Sequence, residues 1–514
     1  MTRAARARAR AALLVVAVGA LTVPGCGRTT GSGAVATASC DGDATCACPT
    51  PRARASGVCC PPYTVANGEA CVARDFARAA WFHDIGPAGA QSVAVAVDDT
   101  RRVVLAWTTT DGLRTKLAVA EERGDAFVAR EPASSLPGSS TTPAITAGPG
   151  ARATVAWKEE LDSNGSGVFV SERDEAGTWT DPHAMSDAYS FAPRAFEPFL
   201  TTTPLGEVIL LWNQWLERSP GIYGLEVATR KAGAEWVRPA NPDAILSPDA
   251  FFVNAPKAAS SPRGDVLVTW YQAKAGDHLM AWYSERRGES GAFSRALADE
   301  TLSPPGADVG GQGGGSPKPA VGPRGEGACA WLQKNADGHT RPFLATREPA
   351  AAWQKPASLT DSLGASGDAT DASAIQVTIG SAGALVVAWT EAAPGGGVVR
   401  ALRRDHGGAF VDDVHAPPAL SSPGTSVQGL TLRATREGAM ILAWLEVGTG
   451  GSALRLRRAW DDPARGVEWG PIETLAMPDK LADSPAIAAG GTPERIVLAW
   501  TEGRVPRVQI ATLD

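Results

Sequence analysis

A short apolar run ending in tryptophan recurs along the whole chain. It reads VVLAW at Trp107, ATVAW at Trp157, VILLW at Trp212, VLVTW at Trp270, ACAW at Trp331, LVVAW at Trp389, MILAW at Trp444 and IVLAW at Trp500. The intervals are 50, 55, 58, 61, 58, 55 and 56 residues, a spacing that makes these copies of one structural unit. A second aromatic series keeps the same period: Trp81, Phe127, Trp179, Trp236, Phe293, Trp353, Phe410 and Trp469. Together the two series account for 13 of the 16 tryptophans, so most of the large aromatic side chains serve the repeat.

Between the two aromatics each unit predicts four short strands. These are an inner one such as TPAITA, the tryptophan strand, a third such as GVFVSER, and an outer one opened by the second aromatic. Four strands with tight turns at this period predict a blade of a β-propeller. The last tryptophan strand is followed only by VPRVQIATLD, whereas Trp81 opens an outer strand with no unit before it. If DFARAAWF supplies the missing strand of the last unit, the ring closes and no sheet edge is left unpaired. The expected fold is therefore all-β: one propeller of eight four-stranded blades over residues 76–514, closed by the segment around Trp81. The alternative of an open stack requires polar capping repeats, which the sequence does not show.

The unit SERDEAGTW, with Ser171, Asp174, Gly177, Thr178 and Trp179, resembles the Asp-box, or BNR repeat, of sialidase-like propellers. One extra residue separates its serine from its aspartate, and the other copies keep the turn and aromatic while losing most of the polar positions. The resemblance covers roughly residues 78–514 as blade layout. It implies a fold and not an activity, because the box stabilises a turn.

The N-terminus has different chemistry. Arg3, Arg6, Arg8 and Arg10 precede ALLVVAVGALTV and then Pro24, Gly25 and Cys26, the order of a basic, an apolar and a cleavage region. The stretch from Leu21 to Cys26 resembles the lipobox of bacterial lipoproteins, which implies a signal peptide over 1–25 and lipidation of Cys26. The alternative is a plain secretory peptide. Glycine after that cysteine implies, by the same resemblance, sorting to an outer membrane or cell surface where the cell has two membranes. Residues 26–39 are small and polar, as in a tether.

Over 40–72 the chain carries Cys40, Cys46, Cys48, Cys59, Cys60 and Cys71, an even number in an exported segment too short to build a core. A disulfide framework follows, with 15 pairings open. Clustered thiolates also suit zinc, but the oxidising compartment and the absence of nearby histidines favour disulfides. Cys329, alone inside GACAW, is expected to be a buried strand residue.

The formal charge is −7, and near −11 once the four leader arginines are subtracted, with no basic cluster, so nucleic acid is not an expected partner. No histidine lies within five residues of another and no DxDxDG run occurs, so neither a metal nor another cofactor is expected.

Connections on one rim are short throughout (PLGE, SPRGD, PRGEG). Those on the other are long and varied, including residues 186–198, 213–223, 241–256, 304–319 and 361–373. Binding usually sits on long loops over a rigid scaffold, so the long-loop rim is the expected site. Its candidate ligand-binding residues are Tyr189, Arg194, Glu197, Trp215, Arg218 and His278, with Trp282 and Tyr283 nearby. The plainer reading is that Trp215 and Trp282 cover blade edges and the charges are solvated. A sialidase needs three arginines, a tyrosine nucleophile and carboxylates. Arg194, Arg341 and Arg504 can reach this rim, but the expected Arg-Ile-Pro signature is absent. The sequence thus favours a monomeric, lipid-anchored module that binds a glycan or protein outside the cell membrane, with no catalytic residue assigned. A sialidase-like glycoside hydrolase is the alternative.

Overall fold

The computed structural model describes short strands between residues 54 and 78 and, from 85 to 512, all but a set of short connecting stretches. The chain divides into two units, Met1–Asp75 and Phe76–Asp514. The first contains two small antiparallel hairpins, Arg54–Ala55 with Val58–Cys59 and Thr64–Asn67 with Ala70–Ala73. Cys59 and Cys71 fall on these strands. Cys26, Cys40, Cys46, Cys48 and Cys60 lie outside the described residues, as do Trp81, Tyr189, Arg194 and Arg218.

The second unit is all-β, and no helix occurs among its described residues. Its strands form eight antiparallel sheets, numbered here in chain order. Their tryptophan strands are Val103–Thr110, Ala153–Glu160, Val208–Trp215, Val266–Ala273, Gly327–Lys334, Leu385–Ala393, Ala439–Gly448 and Arg495–Glu502. In each sheet an inner strand precedes the tryptophan strand and a third follows it. The runs are β-branched and apolar on both faces because both faces are covered by neighbouring sheets. All eight tryptophans of the first series are at most 1% exposed. At ~25 cal/mol/Å2 and roughly 200 Å2 per indole, each contributes on the order of 5 kcal/mol of transfer free energy before entropy is subtracted.

Consecutive sheets share a core. Trp157 packs with Val104 and Ala106 of sheet 1, Trp270 with Ile209 and Leu211 of sheet 3, and Trp389 with Ala328 and Ala330 of sheet 5. Sheet 8 packs against sheet 1, since Val497, Ala499 and Val508 join Leu105 and Trp107 in one cluster. The inner strands also follow one another around, and Ala486–Gly490 of sheet 8 lies against Ala90–Val97 of sheet 1. The strand Val505–Thr512 accepts Ala77–Arg78 as its outer partner, with Ala511 opposite Arg78.

The expected fourth strand is present in sheets 1, 2, 7 and 8 and absent from sheets 3 to 6 among the described residues. There the second aromatic segment makes only a single bridge, such as Thr229 to Val237, Thr346 to Gln354 and Arg404 to Phe410. The aromatic itself, rather than a ladder, holds this edge. Trp179 Nε1 donates to Glu121 of sheet 1 (2.5 Å), Trp236 Nε1 to Glu172 of sheet 2 (3.0 Å) and Trp353 Nε1 to Glu285 of sheet 4 (2.8 Å). Arg173, Arg230 and Arg347 pair with the same three carboxylates. Where the preceding sheet carries Thr229 or Thr346 at this position, the next aromatic is Phe293 or Phe410, which has no N–H to satisfy. At these five seams indole goes with acid and phenyl with threonine, whereas Trp469 of sheet 7 follows Arg403 of sheet 6 and Phe127 of sheet 1 follows Ile510 of sheet 8.

The Ser171 to Trp179 segment forms a tight turn: Thr178 N donates to Asp174 Oδ1 (2.8 Å), Gly177 takes φ 89°, and Ser171 Oγ donates to Thr180 O (2.7 Å). On the short-turn rim, Gly206, Gly264, Gly325, Gly383 and Gly438 close equivalent inner-to-tryptophan turns with φ between 82° and 96°. This left-handed closing residue is what lets the tight reversal match strand twist. In sheet 1 the same position is Arg101, at φ 69°.

Candidate cleft on the long-loop rim

The tryptophan strands end on the long-loop rim, and the residue two beyond each tryptophan faces the same side of its strand. Trp157 donates through Nε1 to Glu159 (3.0 Å), Trp212 to Gln214 (3.3 Å), Trp270 to Gln272 (2.8 Å), Trp331 to Gln333 (3.0 Å), Trp389 to Glu391 (3.4 Å) and Trp444 to Glu446 (3.1 Å). The buried indole is thereby satisfied, and most of the acceptors also hold a rim connection. Gln272 Nε2 donates to Pro248 O, and Gln333 Nε2 to Pro304 O and Ala307 O; Glu391 accepts from Thr370 Oγ1 (2.7 Å) and Glu159 from Ser140 Oγ (2.7 Å). The motif Trp-x-Glu/Gln was visible in the sequence and marks where each loop is fastened. Burial raises the Glu159 carboxyl above its usual range, partly offset by Ser140 and Trp157.

A cleft of about 940 Å3 opens on this rim, mainly over sheets 5, 6 and 7. Its lining includes His278, Asp308, Lys334, Asp371, Ser373 and Glu391. Two structurally equivalent pairs flank it. Asp308 Oδ1 accepts from Leu279 N at the start of a third strand (2.7 Å) and lies 3.3 Å from His278 Nδ1. Asp371 Oδ1 accepts from Thr340 N at the next third strand (2.7 Å) and lies 3.6 Å from His339 Nδ1. Both aspartates are 62% exposed, so most of their lone pairs face solvent. Deeper in, Ser373 and Thr390 share a hydroxyl contact of 2.7 Å, and Glu391 is held by Arg400 Nε (3.3 Å) with Arg341 Nη1 at 3.9 Å.

Of the residues singled out in the sequence, His278 borders this cleft and Glu197 and Trp215 do not. Glu197 stands at a bulge of the inner strand Ala195–Thr202 with φ 54°. Its Oε2 accepts from Asn213 Nδ2 (3.1 Å) and from Ala255 N of sheet 4 (2.6 Å), so it latches two inner strands together. Trp215 ends a strand opposite Tyr223 and is half-buried. Trp282 does not cover an edge: it is 1% exposed and packed in the core between sheets 3 and 4. Arg341 is 2% exposed behind Glu391, and Arg504 is an exposed turn residue of sheet 8 at φ 67°. The cleft residues Asp308, Lys334, Asp371, Ser373 and Glu391 were missed. Their signal was the repeated His before a third strand, DHL and GHT, each answered by an aspartate before the next inner strand.

No known family model and no curated protein matches the chain. Among solved structures it is similar to the polysaccharide lyase Uly1, at 10% identity and TM-score 0.46 over 71% of this chain and 88% of that one. It is also similar to the β-propeller domain of the Trilobed protease from Pyrococcus furiosus, at 12% identity and TM-score 0.40 over 76% and 95%. A third is the Penicillium chrysogenum alpha-L-arabinanase complexed with arabinobiose, at 12% and 0.38 over 74% and 96%. Each TM-score is below 0.5, so the reading below rests on the chain's own geometry.

Proposed function

We propose that the second unit is a closed eight-bladed β-propeller that binds a glycan in the cleft on its long-loop rim. Support for closure comes from the shared core of sheets 1 and 8 and from Ala77–Arg78 joining the last sheet. A cavity of about 560 Å3 bordered by inner-strand residues of sheets 1, 2, 3, 4, 7 and 8 agrees with a central channel.

The observation that carries the binding reading is the composition of the cleft. Hydroxyl, carboxylate, imidazole and ammonium groups line a space large enough for an oligosaccharide, and sugars are recognised through such paired donors and acceptors. Asp308 and Asp371, each fixed by a backbone N–H, are the acceptors presented to a ligand. Binding is favoured over sialidase-like hydrolysis because no tyrosine is among the described residues that line the cleft. Burial, reinforced by the Glu197 charge, raises the Tyr271 phenol, and burial pushes Tyr283 up to about 12; neither is a ready nucleophile. In this reading Cys26 carries the lipid anchor of an exported chain, the cysteines of 40–72 form disulfides, and the propeller faces the outside of the membrane.

A glycan array probed with the intact protein and with the Asp308→Ala/Asp371→Ala variant tests the cleft. Retention of glycans by the wild type with at least tenfold loss in the double variant supports it. Equal retention by both proteins, or turnover of a fluorogenic sialoside by the wild type, overturns it.

A further inference from the structure

Away from the cleft, the inner strands of sheets 3, 4 and 5 bring two lysines together without an ion-pair partner among the described residues. Lys257 lies on Val253–Ser260 and Lys318 on Lys318–Val321, strands that pack side by side. Lys257 Nζ stands over the Phe199 ring at 4.8 Å, and Lys318 Nζ donates to Ser316 Oγ at 2.7 Å. Both side chains keep some solvent access while protein surrounds them, and Phe199, beneath Lys257, borders the inner-strand cavity. The acid whose charge acts on Lys257 is Glu197, whose Oε2 already accepts from Asn213 Nδ2 and from Ala255 N. The other titratable neighbours are Tyr271, which burial keeps protonated, and Cys329, whose thiol burial pushes far up. Two enclosed ammonium groups thus have one acid acting near them, and two N–H donors already compete for its Oε2.

The strands here are also strained. Glu197 and Ala255, on adjacent inner strands, hold φ of 54° and 51° at their bulges, a conformation unfavourable for non-glycine residues. Enclosed, unpaired lysines weaken a fold unless something offsets their charge.

We propose that Lys257 and Lys318, with Ser316, form a binding site for one oxyanionic group between the inner strands of sheets 4 and 5. A free sulfate and the carboxylate of an acidic sugar share this chemistry. Burial, with the repulsion of Lys257, lowers Lys318 to about 7, and burial lowers Lys257 despite the Glu197 charge. An arriving anion reverses that effect, so binding at pH 8 takes up a proton at Lys318.

The test measures thermal unfolding of the full chain at pH 8 in sodium sulfate, sodium glucuronate and sodium chloride of equal ionic strength. The expected result is a rise in Tm with sulfate or glucuronate beyond that in chloride, absent in Lys257→Met and in Lys318→Met. A sulfate-only response identifies a free inorganic ion, and a stronger glucuronate response identifies a sugar acid. Wild-type acetylation footprinting supplies a readout independent of the variants: Lys318 labelling is expected to fall at least fivefold in the effective anion. No Tm rise with either anion, a rise that persists in both variants, or unchanged labelling overturns the site. None of these readings depends on the cleft.

Discussion

Sheets 2, 4 and 5 and sheets 6, 7 and 8 place their buried tryptophans identically, yet they fill the position opposite each one differently. Across from Trp157, Trp270 and Trp331 stand Phe169, Trp282 and Phe343; two of these pairs stack with ring centroids 6.1 Å apart. Across from Trp389, Trp444 and Trp500 stand Arg400, Arg455 and Arg507. Each arginine turns to the acid two residues after its tryptophan: Glu391 at 3.3 Å, Glu446 at 2.8 Å and Glu502 at 3.4 Å. In sheets 4 and 5 the corresponding residues are the neutral Gln272 and Gln333. One backbone slot is filled by dispersion in one half and by a charge pair in the other. A repeat therefore fixes geometry and leaves the chemistry of each slot free.

Truncating the tryptophan is the severest way to break the comparison. Trp331→Ala and Trp444→Ala are each expected to lose about 3–5 kcal/mol in urea unfolding, alike in both halves, because cavity cost dominates. A difference of more than 2 kcal/mol between them shows that the partner, and not the indole, carries the slot. The acceptors separate the halves next. Glu446→Ala strands the half-buried Arg455 and the Trp444 N–H and is expected to cost about 2–4 kcal/mol, against about 1–3 for Gln333→Ala. High salt narrows that gap, since it screens only the charged slot; a gap insensitive to salt contradicts the assignment.

The neutral half also contains Lys318, which gives it a pH signature. Its folded pKa of about 7 lies below the ordinary 10.5, so between these values the unfolded chain holds a proton that the folded chain lacks, and stability rises with pH. Between pH 7 and 9.5 the wild type is expected to gain about 2 kcal/mol relative to Lys318→Met, after allowance for partial exposure. The sheet-to-sheet stitch is smaller. Thr229→Glu combined with Phe293→Trp installs the acid and indole found at Glu172 and Trp236, with an expected favourable coupling of about 0.5–1.5 kcal/mol in a double-mutant cycle. Equally small is the effect of Thr109→Gln. Trp107 Nε1 has no acceptor among the described residues because threonine stands where other sheets place Glu or Gln. Supplying one should add about 0.5–1.5 kcal/mol, and a loss of stability would mean that the amide cannot reach.

The repeat, the tryptophan strands and the pairing of the segment near residue 77 with the chain's end were legible because they rest on periodicity and on edge satisfaction, both local properties of the sequence. Among the described residues, sheets 3 to 6 lack the outer strand that the repeat predicts. There an indole or phenyl anchor substitutes for a ladder, and no pattern of alternation distinguishes the two. Site residues were less legible. Glu197 looked like a rim carboxylate, but the bulge at φ 54° turns it onto Ala255 N, and a bulge leaves no mark in composition. The cleft residues come from four neighbouring sheets, 4 to 7, so only the contact between sheets brings Asp308 and Asp371 to one opening.

A chain of near-identical modules risks joining the wrong neighbours while it folds. At the five seams that carry it, the indole-to-acid and phenyl-to-threonine pairing works against this error, because a Trp-bearing module set behind a Thr-bearing one buries a donor with nothing to receive it. The side chains at these seams thus serve as labels of succession, telling each module which one it follows.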